Sequence, residues 1–337
     1  MSMHIRANTI VGTVSPILPQ HSFALRITVL LGASAAIMGL GFGSWTAQAA
    51  QTGKAVLEAE SSDLATKGTL ISKASKTKPF PAVSLGGLTD TEKKIFTQIV
   101  NEEVCPCACP ASWGQCLQAG TKCQPAVLLA EYLVEQLASG VPGEVMAEVM
   151  AQEISGYTAR PVSPALAGYH QKGASKPVFE IVEYADFECM HCQAASAMVD
   201  DLVVRASVPV RVTYKHFPLS FHPMAETAAR AAEAAGNQGK FWEMHHAIFA
   251  TQNMLDEDLL RGHARALGLD IKRWEKDWKS PEIKEKVKKS RAEGDRFKLE
   301  STPTFLINGR PFYLDRSLKA FELRFTLEKM RGTASCQ

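Results

Sequence analysis

Two cysteines separated by Met190 and His191 close the stretch Asp186-Phe187-Glu188-Cys189-Met190-His191-Cys192. An apolar run, Val178 to Ala185, precedes them, and a helix-like stretch, Cys189 to Ala206, follows. A CxxC pair at a strand-to-helix junction brings two sulfurs within bridging reach. It also sets the first sulfur over the unpaired N–H groups of a helix start, where negative charge is stabilised. In this setting a thiol pKa falls from about 8.5 into roughly the 3.5–7 range. The pattern points to thiol–disulfide exchange, with Cys189 as the nucleophile and Cys192, one turn deeper, as the resolving thiol. His191 between them adds positive charge or a hydrogen bond. Half of a zinc site and an inert staple are the competing readings, but the chain has no second CxxC, and His216 and His222 lack a ligand spacing.

A second signal is Ser301-Thr302-Pro303-Thr304-Phe305 before an apolar run. A proline there is compatible with a cis Thr302–Pro303 bond. Such a loop leaves the Thr302 backbone free to pair with an extended peptide.

These residues need elements to hold them. Val178 to Ala185 and Val208 to Phe217 read as strands flanking the CxxC helix. A long helical section runs from Met224 to about Glu293. Thr304 to Asn308 and Pro311 to Tyr313 then form a hairpin about Gly309, and Arg316 to Met330 a closing helix. This order implies an α/β sheet layered with helices. Upstream, Thr89 and Glu92 fit a capping box, and two more amphipathic helices cover about Pro125 to Ser139 and Pro142 to Ser155.

DFECMHC, YKHFPLSFHP, AARAAEAAGNQGKFWEMHHAIF and STPTFLING together resemble the DsbA-like branch of the thioredoxin fold, across about residues 176–330. The resemblance implies a thioredoxin-like α/β fold with a helical insertion, here preceded by a small cysteine-rich all-α unit. It implies an exported thiol–disulfide oxidoreductase working on cysteines of other exported proteins, most simply as an oxidase, with a membrane-bound partner to recycle it and no cofactor beyond its own disulfide. The opposite direction, reduction or isomerisation, uses the same residues. By position Cys189 matches the attacking cysteine, Cys192 the resolving one and Pro303 the cis-proline, with Thr302 before it. Glu183, six residues before Cys189, stands where such proteins can carry a buried carboxylate able to exchange the Cys192 proton. Lys215 on the next strand is the expected partner of Glu183; both being plain edge or surface charges is the alternative. Met190 departs from the Pro-His pair of the most oxidising members. Phe217, Pro218, Leu219, Phe221 and Trp242 suit a peptide groove, although core packing suits most of them better. A metal role for His245-His246 is not expected.

Five further cysteines, Cys105, Cys107, Cys109, Cys116 and Cys123, crowd one short segment, and Cys336 stands near the end of the chain. Disulfide stapling of a thin helical core is the leading reading. A redox relay to Cys189–Cys192 stays open, as does soft-metal binding by Cys105, Cys107 and Cys109. The latter would make this a metal-handling protein.

Of 337 residues, 46% are hydrophobic and the net charge is +2. Arg6 and Arg26, the only charges in the first fifty residues, account for that excess, which argues against a nucleic-acid surface. The apolar run Ile27 to Trp45, followed by Ala47 and Ala49 in A-x-A spacing, reads as an export signal or a membrane tether. The organisation expected is export segment or anchor (1–50), flexible linker (51–87), cysteine-rich helical domain (88–156), linker (157–176) and thioredoxin-like domain (177–332), delivered to the periplasm or another extracytoplasmic space.

Overall fold

The computed structural model describes residues 80–118 and 123–332. The export segment, most of the first linker and Cys336 lie outside the described residues. Among those described, no helix is long and apolar enough to cross a membrane.

Two strands dictate the centre. β2 (Phe179–Ala185) and β3 (Val210–His216) are built from β-branched and aromatic residues and are buried almost throughout. Strands covered on both faces suit a parallel pair joined by a helical crossover, and helix α5 (Met190–Arg205) makes that crossover. β1 (Gln171–Gly173) joins the outer side of β3 antiparallel. β4 (Thr304–Ile307) runs antiparallel to β2, and β5 (Arg310–Phe312) closes the hairpin, giving the order β1-β3-β2-β4-β5. One sheet face, including Ile181, Val212, Phe305 and Ile307, packs on α5 and the closing helix α11 (Leu318–Lys329). The other, with Val182, Tyr184 and Leu306, is covered by Val162, Leu166, Phe297 and Leu299.

Between β3 and β4 the helical section divides into five helices: α6 (Ala225–Gly236), α7 (Phe241–Ala250), α8 (Glu257–Ala266), α9 (Ile271–Trp278) and α10 (Pro281–Arg296). Side-chain caps explain three of the breaks. Asp256, Asp270 and Ser280 each accept an N–H of the helix that follows. The alanines of α6 let the other helices approach closely. Trp274 and Trp278 then seal it, donating their indole N–H groups to the carbonyls of Ala231 and Thr227 at 3.1 and 3.0 Å.

The N-terminal unit comprises α1 (Asp90–Glu102), α2 (Trp113–Gln118), α3 (Gln124–Ala138) and α4 (Gly143–Thr158). The Thr89–Glu92 capping box opens α1. Disulfides Cys105–Cys116 and Cys107–Cys123 staple the turn before α2 to α2 itself and to the start of α3. The buried residues of this unit are continuous with those of the sheet, α5 and α11.

Both expected linkers are corrected in part. Phe80 packs edge-on against Phe96, with ring centroids 5.4 Å apart, so the last residues before α1 belong to the helical unit. Within 157–176, Gln171–Gly173 is a strand, and Val162 donates its N–H to the Gly309 carbonyl at 2.8 Å. Proline and glycine richness reads as a linker there. The segment is instead fixed by its apolar residues on the sheet and by backbone pairing, so the α/β domain starts before residue 177.

Candidate active site

Cys189 is the N-cap residue of α5, in extended conformation, and its sulfur meets the open end of the helix. Its thiol donates to the Thr302 carbonyl at 3.2 Å, and the Thr302–Pro303 peptide is cis. The Cys189 pKa is lowered to about 5, first by the hydrogen bond with the Cys192 thiol, then by Thr302 and the N–H groups of Cys192 and His191, against the opposing effect of burial. His191 thus contributes its backbone; its side chain is exposed.

Cys192 is fully buried one turn inside. Burial, followed by the neighbouring Cys189, pushes its thiol well above the usual range, while the Asp186 N–H, 3.4 Å from its sulfur, pulls the other way. The two thiols are thus driven apart, one toward thiolate and one toward thiol. Both are free cysteines in the structure.

Glu183 lies on β2, 2% exposed, with Oε1 lacking any hydrogen-bond partner. Burial raises its carboxyl to about 7, and its charge acts on Cys192. A carboxyl that exchanges a proton near neutrality, beneath the high-pKa thiol, suits proton transfer.

Lys215 does not join it. In the β2–β3 register Glu183 sits opposite Tyr214, and Lys215 opposite Tyr184. Successive strand residues face opposite sides, so this one-residue offset sends Lys215 to the far face. There it pairs with Glu293 of α10 at 2.8 Å and donates to the Ala165 carbonyl at 2.7 Å, and the Tyr184 hydroxyl donates to the same Glu293 at 2.6 Å. The expected pairing with Glu183, and a part for Lys215 in the site, are corrected accordingly. Tyr214 takes that place, fully enclosed and with its hydroxyl unpartnered.

A residue that sequence reasoning passed over anchors the loop. Asp186 is 2% exposed; Oδ1 accepts the Glu188 N–H at 2.7 Å, and Oδ2 accepts from the Leu219 N–H at 2.7 Å and pairs with His222 Nδ1 at 2.8 Å. Glu188 accepts the Met224 N–H at 2.6 Å, and Gln252 donates to the Phe187 carbonyl at 2.8 Å. The chain before Cys189 is therefore tied to the β3–α6 loop and to the insertion. An aspartate directly after an apolar strand and three residues before a reactive cysteine was the available signal.

Of the groove candidates, Phe217 is core, Pro218 and Leu219 are half-buried, and Phe221 is 73% exposed. Trp242 donates to the Gln171 carbonyl at 3.3 Å and carries Lys172 over its ring. His245 is enclosed by Phe187, Tyr214, Phe241 and Phe249, and His246 pairs with Asp200 at 3.0 Å. In the cysteine-rich unit, Cys105 Sγ lies 3.8 Å from Cys123 Sγ, so the two disulfides abut; Cys109 places its sulfur within 4.8 Å of those of Cys105 and Cys116. Cys105, Cys107, Cys109, Cys116 and Cys123 are all disulfide-bonded and are not thiolate ligands in this state.

The thioredoxin family model matches residues 168–327, just under half of the chain. The strand, dithiol helix, inserted helices and proline loop agree with that match. Residues 168–327 have a thioredoxin-like fold with inserted helices. The chain resembles a thioredoxin-like oxidoreductase from Silicibacter pomeroyi, with 26% identity and a TM-score of 0.43 over 48% of this chain and 94% of that one. It also resembles Pseudomonas aeruginosa DsbA2, with 25% identity and a TM-score of 0.41 over 52% of this chain and 100% of that one. Among curated proteins, the Na(+)/H(+) antiporter NhaA of Herminiimonas arsenicoxydans is 38% identical over 150 residues, 44% of this chain and 24% of the antiporter. NhaA 1 of Salinispora arenicola is 35% identical over 158 residues, 47% of this chain and 24% of the antiporter. The chain thus spans about a quarter of the length of these antiporters.

Proposed function

We propose that the protein is a thiol–disulfide oxidoreductase that oxidises cysteine pairs in other proteins through Cys189 and Cys192. The observation that carries this is the asymmetry of the two thiols, about 5 for Cys189 against a value well above normal for the buried Cys192. A stabilised Cys189 thiolate favours the reduced pair, which makes the disulfide form the stronger oxidant.

In the oxidised protein a substrate thiolate attacks Cys189 Sγ, the sulfur at the helix end. The Cys189–Cys192 bond breaks, Cys192 leaves as thiolate and is protonated, and Glu183 is the group beneath it to supply that proton. A second substrate thiolate attacks the substrate sulfur of the mixed disulfide and expels Cys189 as a stable thiolate. Two electrons pass from substrate to protein, the substrate gains a disulfide, and one proton is retained on Cys192. The Thr302 carbonyl and the Pro303 loop beside Cys189 offer backbone to an extended substrate chain. The electrons move between sulfurs, so no cofactor enters.

Oxidation of successive substrates requires a recycling oxidant, for which a membrane redox partner is the proposed class. The apolar run 27–45 suits delivery beyond the cytoplasm, to the periplasm, by a cleaved signal or a retained tether. The deciding test is trapping: with Cys192→Ser, substrates should accumulate on Cys189 as mixed disulfides that a reductant releases. Recovery of no adduct from the extracytoplasmic fraction would overturn the reading.

A further inference from the structure

Beyond the last β4–β5 pair, Phe305 opposite Phe312, the two strands diverge. Between the proline loop and the chain from Tyr313 to Arg316 lies a cleft of about 420 Å³. The thioredoxin domain lines it with Lys298, Glu300, Pro303, Tyr313 and Arg316, and the N-terminal helical unit adds Gln152 of α4. The cleft reaches the proline loop: Pro303, which lines it, directly follows Thr302, whose carbonyl lies 3.2 Å from Cys189 Sγ.

The helical wall is built in. Glu153, next to Gln152, is fully buried in an ion pair with the equally buried Arg324 of α11, and its Oε2 accepts the Tyr313 N–H at 2.8 Å. Gly156 lets α4 sit directly on β5, since a Cβ there would come within 2.8 Å of the Pro311 carbonyl oxygen. Helix α4 therefore fixes the position of the Tyr313 loop while facing the cleft with Gln152. At the opposite lip Lys298 takes a left-handed conformation, φ 59°, which lysine rarely adopts. Lys298 and Arg316 are exposed cations that form no ion pair among the described residues, set against the single carboxylate Glu300.

We propose that this cleft seats the substrate polypeptide beside its reacting cysteine, and that Lys298 and Arg316 make it favour segments carrying Asp or Glu there. The inference rests on the thiol-exchange function proposed above and adds to it a substrate preference and a role for the helical unit. A carboxylate side chain meets two cations at the lips, and the extended backbone runs past the Pro303 loop.

The test uses the oxidised full chain and two otherwise identical cysteine peptides, with Glu or Lys flanking the cysteine. Thiol exchange with dithiothreitol serves as a reference that needs no cleft. The acidic peptide should react with a KM about five-fold lower than the basic one, the scale of an exposed ion pair. Lys298→Glu and Arg316→Glu should each erase or invert that ratio, a readout that general damage to the protein does not move. Gln152→Trp should raise KM for both peptides by narrowing the cleft from the helical side. Equal KM values for the two peptides, or an unchanged ratio in both charge variants, overturn the preference. An unchanged KM in Gln152→Trp overturns the part given to the helical unit. Failure of the unmodified protein to exchange with dithiothreitol would instead overturn the redox function itself.

Discussion

At the scale of single residues, the site works by separating the proton affinities of three buried groups. Cys189 is held near 5, Cys192 well above its usual value, and Glu183 near 7. Reduction of the pair should therefore take up one proton at pH values between the Cys192 pKa and about 5, and two below about pH 5. The reduction potential should fall by about 30 mV per pH unit above that point and about 59 mV below it. A series of glutathione-buffered titrations checks this, and a steep slope persisting at pH 7 would contradict it. Glu183 makes a second prediction. Its folded pKa is raised, so the native state binds the proton more tightly than the unfolded chain. That stabilisation is complete below about pH 4.5 and is lost as pH rises through 7. Glu183→Gln does not lose it, and should be more stable than the parent at pH 8 by on the order of 3 kcal/mol, with a smaller gap at pH 4. Urea unfolding of the reduced proteins at both pH values measures the gap; a Gln variant less stable at pH 8 would show that Glu183 is paired rather than isolated.

At the scale of elements, strand register decides which charges reach the dithiol. Lys215 faces α10, where Glu293 and the Ala165 carbonyl hold it on the face opposite Glu183. Lys215→Met should cost about 3 kcal/mol by leaving Glu293 without its buried cation, yet leave the rate of exchange with dithiothreitol within about two-fold. A large loss of exchange in a folded variant would return Lys215 to the site. This residue also marks a boundary of what sequence can show. The strand, the dithiol at a helix start and the proline before β4 were legible because each has a local signature: apolar run, CxxC spacing, turn residue. The Thr89–Glu92 capping box was legible for the same reason. The face on which Lys215 emerges depends on a one-residue register between separate strands, which no local pattern carries. β1 was hidden because a three-residue edge strand, Gln-Lys-Gly, has neither apolar alternation nor length. Asp186 was passed over because its partners, Leu219 and His222, lie more than thirty residues away.

At the scale of the whole molecule, the helical unit and the thioredoxin domain share one run of buried side chains, joined by the Glu153–Arg324 pair and by the Tyr157 hydroxyl donating to the Leu327 carbonyl at 3.1 Å. The described part of the chain should therefore unfold in a single transition by both fluorescence and circular dichroism; two separated transitions would show that the unit is an independent module. The two disulfides close sequence separations of 11 and 16 residues in this thin core. Replacing Cys107 and Cys123 by Ala should lower stability by about 2–4 kcal/mol, while Cys189 keeps its low pKa. A Cys189 titration displaced by that replacement would instead couple the cysteine cluster to the dithiol. The account as a whole rests on Cys189–Cys192 being a redox pair whose reduced form is stabilised. The most direct measurement is the reduction potential of that pair in glutathione buffers, with the remaining cysteines left in their disulfides. A value near about −120 mV, that of a strong disulfide donor, is the result predicted; a value near about −270 mV would place the protein among reductants and contradict the direction assigned here.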